Sequence, residues 1–446
     1  MSDDLFAALT STPAVRDATS GAAWAQAMLD AEAALARACA TAGLIPGSAA
    51  ESIGAACRVD RFDLADIAAR TDRGGNPAIP LVAQLRALVG DEAGRYVHWG
   101  ATSQDIVDTA MVLVIRRAGA LVAADMETVA REAARLADLH RGTVMVARTL
   151  LQQAAPTTFG LKAAGWAAAS IDAQHAVRRT IARLPAQLGG PVGTLAAFGD
   201  RALEVVTAFA ADLQLPEAPV PWHTARGRLV EAACALAIAA GVCDKVATDV
   251  GLLAQTEVGE AHEAALPGHG ASSSLPHKKN PVGVAAVRAA ARRARAQVPV
   301  VLGAMAQEHE RALGAWQSEW PAITDLLLAS GAAASRAGEL LAGLRVDPAR
   351  MARNLGAMNG LAVSEGVVSA LAPALGRPRA MAIVEAAART TTAAGTSLRD
   401  EVMAQPEVRA ALEESAVDEL FDPASHLGVA DQLVDRVIAR LDEGRP

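Results

Sequence analysis

Beyond Thr102-Ser-Gln-Asp105, apolar side chains recur at helical spacing at Met111, Val114, Ile115, Ala118, Val122, Met126 and Val129, and no proline follows until Pro156. Such spacing stripes one face of a helix. Thr102 to Asp105 also has the form of a capping box, so the pattern predicts one helix of about 35 residues starting there. A second proline-free stretch, Arg228 to Leu266, predicts a helix of about 58 Å at 1.5 Å per residue, stopped by Pro267-Gly268. A third helix is expected from Asn280 as cap and Pro281 in its first turn toward Leu313, kinked at Pro299, and a fourth from about Pro156 to Arg183. No alternating β-branched run reaches strand length, and only Gly189-Gly-Pro-Val-Gly-Thr194 offers a short hairpin. The expected class is all-α.

Breakers and composition divide the chain into a mixed N-terminal part (1–108), a central part of long helices (109–352) and a C-terminal part of shorter helices (353–446), the last with loops at Gly376-Arg-Pro378 and Phe421-Asp-Pro423. There is no internal repeat and no low-complexity segment. Helices this long bury too little when left single, so their Ala-, Leu- and Val-rich faces are expected to pack against other subunits of a homo-oligomer.

Composition narrows the partners. Hydrophobic residues make up 52% of the 446 positions and aromatics only 3%, which suits closely packed helices of small side chains. With 41 basic and 49 acidic residues the net charge is −8, so a nucleic-acid partner is disfavoured. Cys39, Cys57, Cys234 and Cys243 lie in Ala-rich runs without metal-ligand spacing and read as buried thiols of a reducing compartment. The start, Met1-Ser-Asp-Asp4, has no basic n-region, and the longest uncharged stretch, Leu184 to Gly199, is broken by prolines and glycines. A soluble cytoplasmic protein without a membrane partner is expected.

Candidate chemistry gathers between two of the long helices. Gly268-His-Gly-Ala-Ser-Ser-Ser-Leu-Pro-His-Lys-Lys-Asn-Pro281 has no apolar periodicity and crowds serines, lysines and glycines into a loop. A solvated linker is one reading. A site for a carboxylate substrate is the other, because it needs a proton carrier, a cation and an amide donor, and Ser272, Lys278 and Asn280 are those three. At Thr102 and Ser103 the hydroxyls either cap the helix or, with its free N–H groups and positive dipole end, form an anion cradle.

The loop closely resembles the fingerprint Gly-Ser-Ser-x-Met-Pro-x-Lys-x-Asn-Pro of the fumarase/aspartase superfamily. Ser272, Ser273, Pro276, Lys278, Asn280 and Pro281 coincide with it, while Ala271 replaces the glycine and Leu275 the methionine. The resemblance assigns proton transfer next to a substrate carboxylate to Ser272. Val97-His-Trp-Gly-Ala-Thr-Ser-Gln-Asp-Ile-Val-Asp-Thr109 resembles a second family element and implies carboxylate binding by Thr102 and Ser103, with His98 beside them. A third, Arg148-Thr-Leu-Leu-Gln-Gln153, is similar to the family's Arg-Thr-His-x-Gln stretch and brings in Arg148, Thr149 and Gln152. Leu150 stands where the lyases carry a histidine that assists a poor leaving group. A carboxylate, with a conjugate-acid pKa near about 4, departs without that help, so the departure narrows the reaction.

Pro221-Trp-His-Thr-Ala-Arg-Gly-Arg228, Glu308 to Trp320, and Phe421-Asp-Pro-Ala-Ser-His-Leu-Gly428 resemble one branch, the bacterial 3-carboxy-cis,cis-muconate cycloisomerases. Taken singly, Trp316 and Trp320 read as core or interface anchors, Glu308 and Glu310 as a solvated face, and His175, His262 and His426 as structural. Arg311 is set apart, because a tricarboxylate needs a bidentate cation.

The resemblance implies a fumarase-type homotetramer with shared active sites, lactonising 3-carboxy-cis,cis-muconate to 4-carboxymuconolactone in the protocatechuate branch of the β-ketoadipate pathway. Ser272 would move the proton, Lys278, Asn280 and the Thr102/Ser103 terminus would stabilise the enediolate, and Arg311, Arg148, His98, His140 and His223 would neutralise the small polycarboxylate substrate. No metal or organic cofactor is implied. The rivals are an elimination lyase of the same fold, acting on adenylosuccinate, argininosuccinate or another substituted succinate, and a catalytically silent structural relative.

Overall fold

The computed structural model describes residues 5–264, 270–271, 274–275 and 277–443. In chain order its main elements are helices α1 (Gly21–Thr41), α2 (Ala78–Gly94) and α3 (Ser103–Leu139), a hairpin of β1 (Val144–Thr149) and β2 (Gln152–Thr158), helices α4 (Phe159–Ala182) and α5 (Gly227–Leu253), strand β3 (Ala261–His262), helices α6 (Val282–Gly303) and α7 (Ala315–Ala342), strand β4 (Arg345–Val346), and helices α8 (Pro348–Gly356), α9 (Ser364–Leu375) and α10 (Arg377–Ala394). The all-α class is borne out, since the strands form only two-stranded pairs. Among the described residues no single helix is long and apolar enough to cross a membrane.

The chain makes two compact units, each from three separated segments. Unit 1 comprises Met1–Thr128, Asp172–Lys245 and Ala285–Ala337, and unit 2 comprises Val129–Ile171, Val246–Val284 and Gly338–Pro446. A division at 108 and 352 is thus a proposal about sequence modules, not about these units.

Helix α3 has 37 residues and follows the sequence pattern closely. All seven stripe residues from Met111 to Val129 are buried, and so are Ile106, Val107, Ala110, Val112 and Leu113, so its first turns are buried all round. In unit 1 the fully buried Arg226 forks onto Asp108 at 2.6 and 3.0 Å and onto Glu319 at 2.5 and 3.0 Å. Its guanidinium lies 5.0 Å over the Trp222 ring, and Trp316 donates its indole N–H to Asp108 at 2.9 Å while packing edge-on against Trp320. Both tryptophans are anchors, as expected. In unit 2, α9 and α10 enclose a core of Val367, Leu371, Ile383 and Val384; of the loop expected at Gly376-Arg-Pro378 only Gly376 lies outside a helix, because α10 starts at Arg377 with Pro378 in its first turn.

Three sequence expectations need correction. Helix α5 ends at Leu253, not Leu266: Gly259 adopts φ +61°, and the Glu260 N–H returns to the Leu253 carbonyl at 2.9 Å, which turns the chain toward β3. Helix α6 starts at Val282 and ends at Gly303 rather than near Leu313, with Pro299 inside it. Its cap is the carboxylate of Glu263, which accepts from the N–H groups of Gly283 and Val284 at 3.1 and 2.7 Å, a role expected of Asn280. The hairpin is at 144–158, not at 189–194, where the N–H groups of Gly189 and Gly190 are committed to Asp105 instead.

The cysteines are free thiols, and burial pushes Cys39, Cys57 and Cys243 up to about 12, so those three are unreactive at neutral pH. Cys234 is only half-buried.

Candidate active site

In unit 1 the site grows from the first turn of α3. Asp105 completes the capping box by accepting the Thr102 N–H at 2.9 Å, but the Asp105 N–H bonds the Thr102 carbonyl, not its hydroxyl. Neither the Thr102 nor the Ser103 hydroxyl has a partner among the described residues, and the N–H groups of Ser103 and Gln104 open the helix without acceptors. The cap is made by Asp105, so the two hydroxyls have no part in capping the helix.

Asp105, fully buried, is itself saturated. Its carboxylate accepts from Thr102, Gly189 and Gly190 N–H groups at 2.9 Å each, from Gln187 at 3.4 Å and from His223 Nε2 at 2.7 Å. His223 thereby serves to fix the terminus. The turn leading into α3 is tight: Gly100 has φ +70°, and a Cβ there would sit 2.6 Å from the Phe198 ring, so only glycine fits.

Arg311 closes the other side. It donates to Gln104 Oε1 at 2.7 Å and to the carbonyls of Gly190 and Pro191 at 2.8 to 3.2 Å, and no carboxylate pairs with it among the described residues. Four of its five N–H groups are used, so it offers one N–H and an uncompensated charge where a bidentate fork was expected. His98 joins with φ +62° and Nδ1 2.5 Å from Glu32 Oε1. Its burial opposes the charged form, but the Glu32 carboxylate and its hydrogen bond outweigh that and hold the imidazole above its ordinary pKa. Thr102 and Ser103 thus present their hydroxyls near Arg311, whose charge no carboxylate offsets among the described residues, while His98 and His223 are each paired with an acid, Glu32 and Asp105. Glu32 and Gln104 are the residues that sequence reasoning gave no role, and Asp105, expected only as the acid of the capping box, also holds His223 and the 189–190 backbone; Gln104 lay inside the quoted motif, and Glu32 carried no signal at all.

In unit 2 the hairpin carries Arg148, Thr149 and Gln152. Thr149 pairs with Gln152 around a two-residue turn of Leu150 and Leu151, whose φ values of +50° and +66° match a primed turn, and Leu150 is 96% exposed. Arg148 forks onto the buried Glu260 at 2.8 Å through both nitrogens, and Asn354 of α8 donates to the same carboxylate at 2.7 Å. Its charge is spent on the base of the loop. His140 touches Thr143 at 3.1 Å and the edge of Phe159; burial lowers its pKa, so the neutral ring is favoured.

The fingerprint loop is closed at its neck. Asn280 N–H donates to the Gly270 carbonyl at 2.9 Å, Ala271 pairs antiparallel with Lys279, and at Gly270, φ +68°, a Cβ would lie 2.4 Å from the Asn280 carbonyl. Lys278 is exposed and Asn280 half-buried. Ser272, Ser273 and Pro276 lie outside the described residues. Among the described residues no group of three His, Cys, Asp or Glu side chains is arranged to hold a metal ion.

A family model described as lyase matches residues 8–296, and one described as adenylosuccinate lyase C-terminus matches residues 360–437. The chain belongs to the fumarase/aspartase superfamily. Within this superfamily it is 44% identical to the 3-carboxy-cis,cis-muconate cycloisomerase of Bradyrhizobium diazoefficiens, covering 98% of each chain. It is 43% identical to the nitrosuccinate lyase of Streptomyces davaonensis, over 97% of this chain and 94% of that one. The crystal structure of 3-carboxy-cis,cis-muconate lactonizing enzyme from Pseudomonas putida matches with a TM-score of 0.92 at 41% identity, covering 99% of both chains.

Proposed function

We propose that the protein lactonises 3-carboxy-cis,cis-muconate to 4-carboxymuconolactone. One substrate carboxylate adds to a carbon of the diene and a proton is delivered to the neighbouring carbon. The trianion takes up that proton and leaves as a dianionic lactone, so charge must be held in place while it moves. The observation that carries the reading is a donor-rich start of α3 beside the uncompensated charge of Arg311, together with an apolar Leu150 at the lyases' histidine position, in a chain this similar to a cycloisomerase. Thr102, Ser103, Arg311 and His98 bind carboxylates, Lys278 and Asn280 stabilise the enediolate, and Ser272 moves the proton.

The sites are shared between subunits of a homotetramer. Ser103 opens α3 and His140 follows its last residue, and a helix of 37 residues at 1.5 Å each is about 55 Å long. Residues at the two ends of such a helix serve one small substrate when different subunits supply them.

The similarity to a nitrosuccinate lyase favours one second reading, elimination of another stable anion from a substituted succinate, which likewise needs no acid at Leu150. An ultraviolet assay of diene loss tests the first reading. Purified protein is expected to consume 3-carboxymuconate, and Ser272→Ala to lower turnover at least about a hundredfold with folding intact; ordinary turnover by that variant would remove Ser272 from the chemistry.

A further inference from the structure

Glu32 stands on α1, far in sequence from any motif, and its side chain is fully buried. Oε1 meets His98 Nδ1, while Oε2 is buried with no hydrogen-bond partner among the described residues. A buried carboxylate with one oxygen unpaired is costly and calls for a reason. What it does have is one imidazole, on a residue whose backbone is held at φ +62°, in the left-handed region that side chains with a Cβ enter only at a cost. Strain of that kind persists where the surroundings over-determine it, as at binding sites.

The geometry fixes the tautomer. A carboxylate only accepts, so Nδ1 carries the hydrogen of this contact, and Nε2 is the one ring nitrogen left for a ligand. The imidazole keeps 15% exposure against none for Glu32, so the ring is the member of the pair that reaches outward, four residues ahead of Thr102.

We propose that Glu32 is a positioning residue: it fixes Nδ1–H of His98 and holds the ring as an imidazolium whose Nε2–H binds a carboxylate of the substrate beside Thr102 and Ser103. The proposal rests on the reading that the start of α3 takes a polycarboxylate. The charged groups facing the ring agree with it. Burial disfavours the cation, Glu32 of α1 favours it most, Asp105 of α3 adds to that, and Arg86 of α2 opposes it, with the balance upward. Because the folded value is raised, the cation persists below it, and anion binding through His98 is lost as pH rises through it.

Two measurements on the full chain separate this from the substrate's identity. Deuterium exchange at imidazole Cε1, followed across pH by mass spectrometry, reads the midpoint of each histidine, and the tryptic peptide from Tyr96 to Arg116 contains His98 as its only one. The expected wild-type midpoint lies above about 6.5 and falls by at least about one pH unit in Glu32→Gln, whose amide oxygen still accepts from Nδ1–H while the charge is gone. The Kd of propane-1,2,3-tricarboxylate, a polycarboxylate that cannot react, should weaken about tenfold across the wild-type midpoint. That weakening should move to lower pH in Glu32→Gln and return toward the wild-type position in Glu32→Asp. A purely structural Glu32 would lower Tm without moving either midpoint, and unchanged midpoints in folded Glu32→Gln overturn the proposal. Should Glu32→Gln fail to fold, the wild-type peptide decides, and a midpoint at or below about 6.5 overturns it. Failure of the lactonase reading alone would leave both midpoints shifting as stated.

Discussion

Arg311 donates to the side-chain oxygen of Gln104 across 2.7 Å, which joins the stretch before α7 to the first turn of α3 and sets an unpaired guanidinium charge beside that helix terminus. The charge is held there by neutral acceptors, Gln104 and the carbonyls of Gly190 and Pro191, so it is oriented without being cancelled. A polyanion is the ligand such an arrangement suits.

Arg311→Lys should keep the charge and lose the fork. Lysine reaches one or two of these acceptors at most, and a charge-assisted hydrogen bond is worth about 1.5–3 kcal/mol. The expected result is a KM for 3-carboxymuconate raised at least about tenfold with Tm little changed. Unaltered steady-state kinetics would show that Arg311 serves only the loop at 190–191.

Shared sites predict complementation. Ser272→Ala and Arg311→Ala chains, each inactive alone, should regain a measurable fraction of activity when mixed and reassembled, since some sites then combine one intact copy of each residue. Mixed oligomers verified by mass that stay inactive would count against sharing.

At the hairpin tip, Leu150 and Leu151 hold left-handed conformations that Asn-Gly adopts with less strain. Replacing the pair with Asn-Gly should leave Tm equal or higher. Both leucines are exposed, so if the proposed sharing of sites brings this tip to a neighbouring subunit, activity should nonetheless fall more than about tenfold. Retained activity would make the tip a plain turn.

Much of this was readable from the chain. Helix α3 could be placed within a few residues because its cap and its apolar stripe are local signals, and the fingerprint loop is a contiguous string. The hairpin was missed because its turn is Leu-Leu, without the Asn-Gly or Asp-Gly that marks such turns, and Pro156 masked the second strand. The early end of α5 was missed because what stops it is Glu260, whose partners Arg148 and Asn354 are about a hundred residues away in either direction. Glu32 was illegible for the same reason: in an Ala-rich helix a glutamate looks like a solvated residue until His98 is seen on top of it.

Arg226 makes a stability prediction. It is wholly buried between Asp108 and Glu319, and the Glu319 carboxyl is held above its usual range, chiefly by burial and despite the arginine. Arg226→Met would strand two buried carboxylates, and breaking a buried pair this way costs about 3–5 kcal/mol. A Tm lowered by several degrees at pH 7, partly recovered on acidification as the stranded carboxyls protonate, is expected; a Tm within a degree of wild type would mean that water reaches the cluster.

The central claim is that the chain closes a carboxymuconate rather than expelling an anion from a succinate, and one competition measures it. Purified protein is given equal concentrations of 3-carboxy-cis,cis-muconate and nitrosuccinate, and the mixture is followed by proton NMR. The account predicts 4-carboxymuconolactone accumulating with nitrosuccinate intact, whereas fumarate and nitrite appearing while the muconate persists would contradict it.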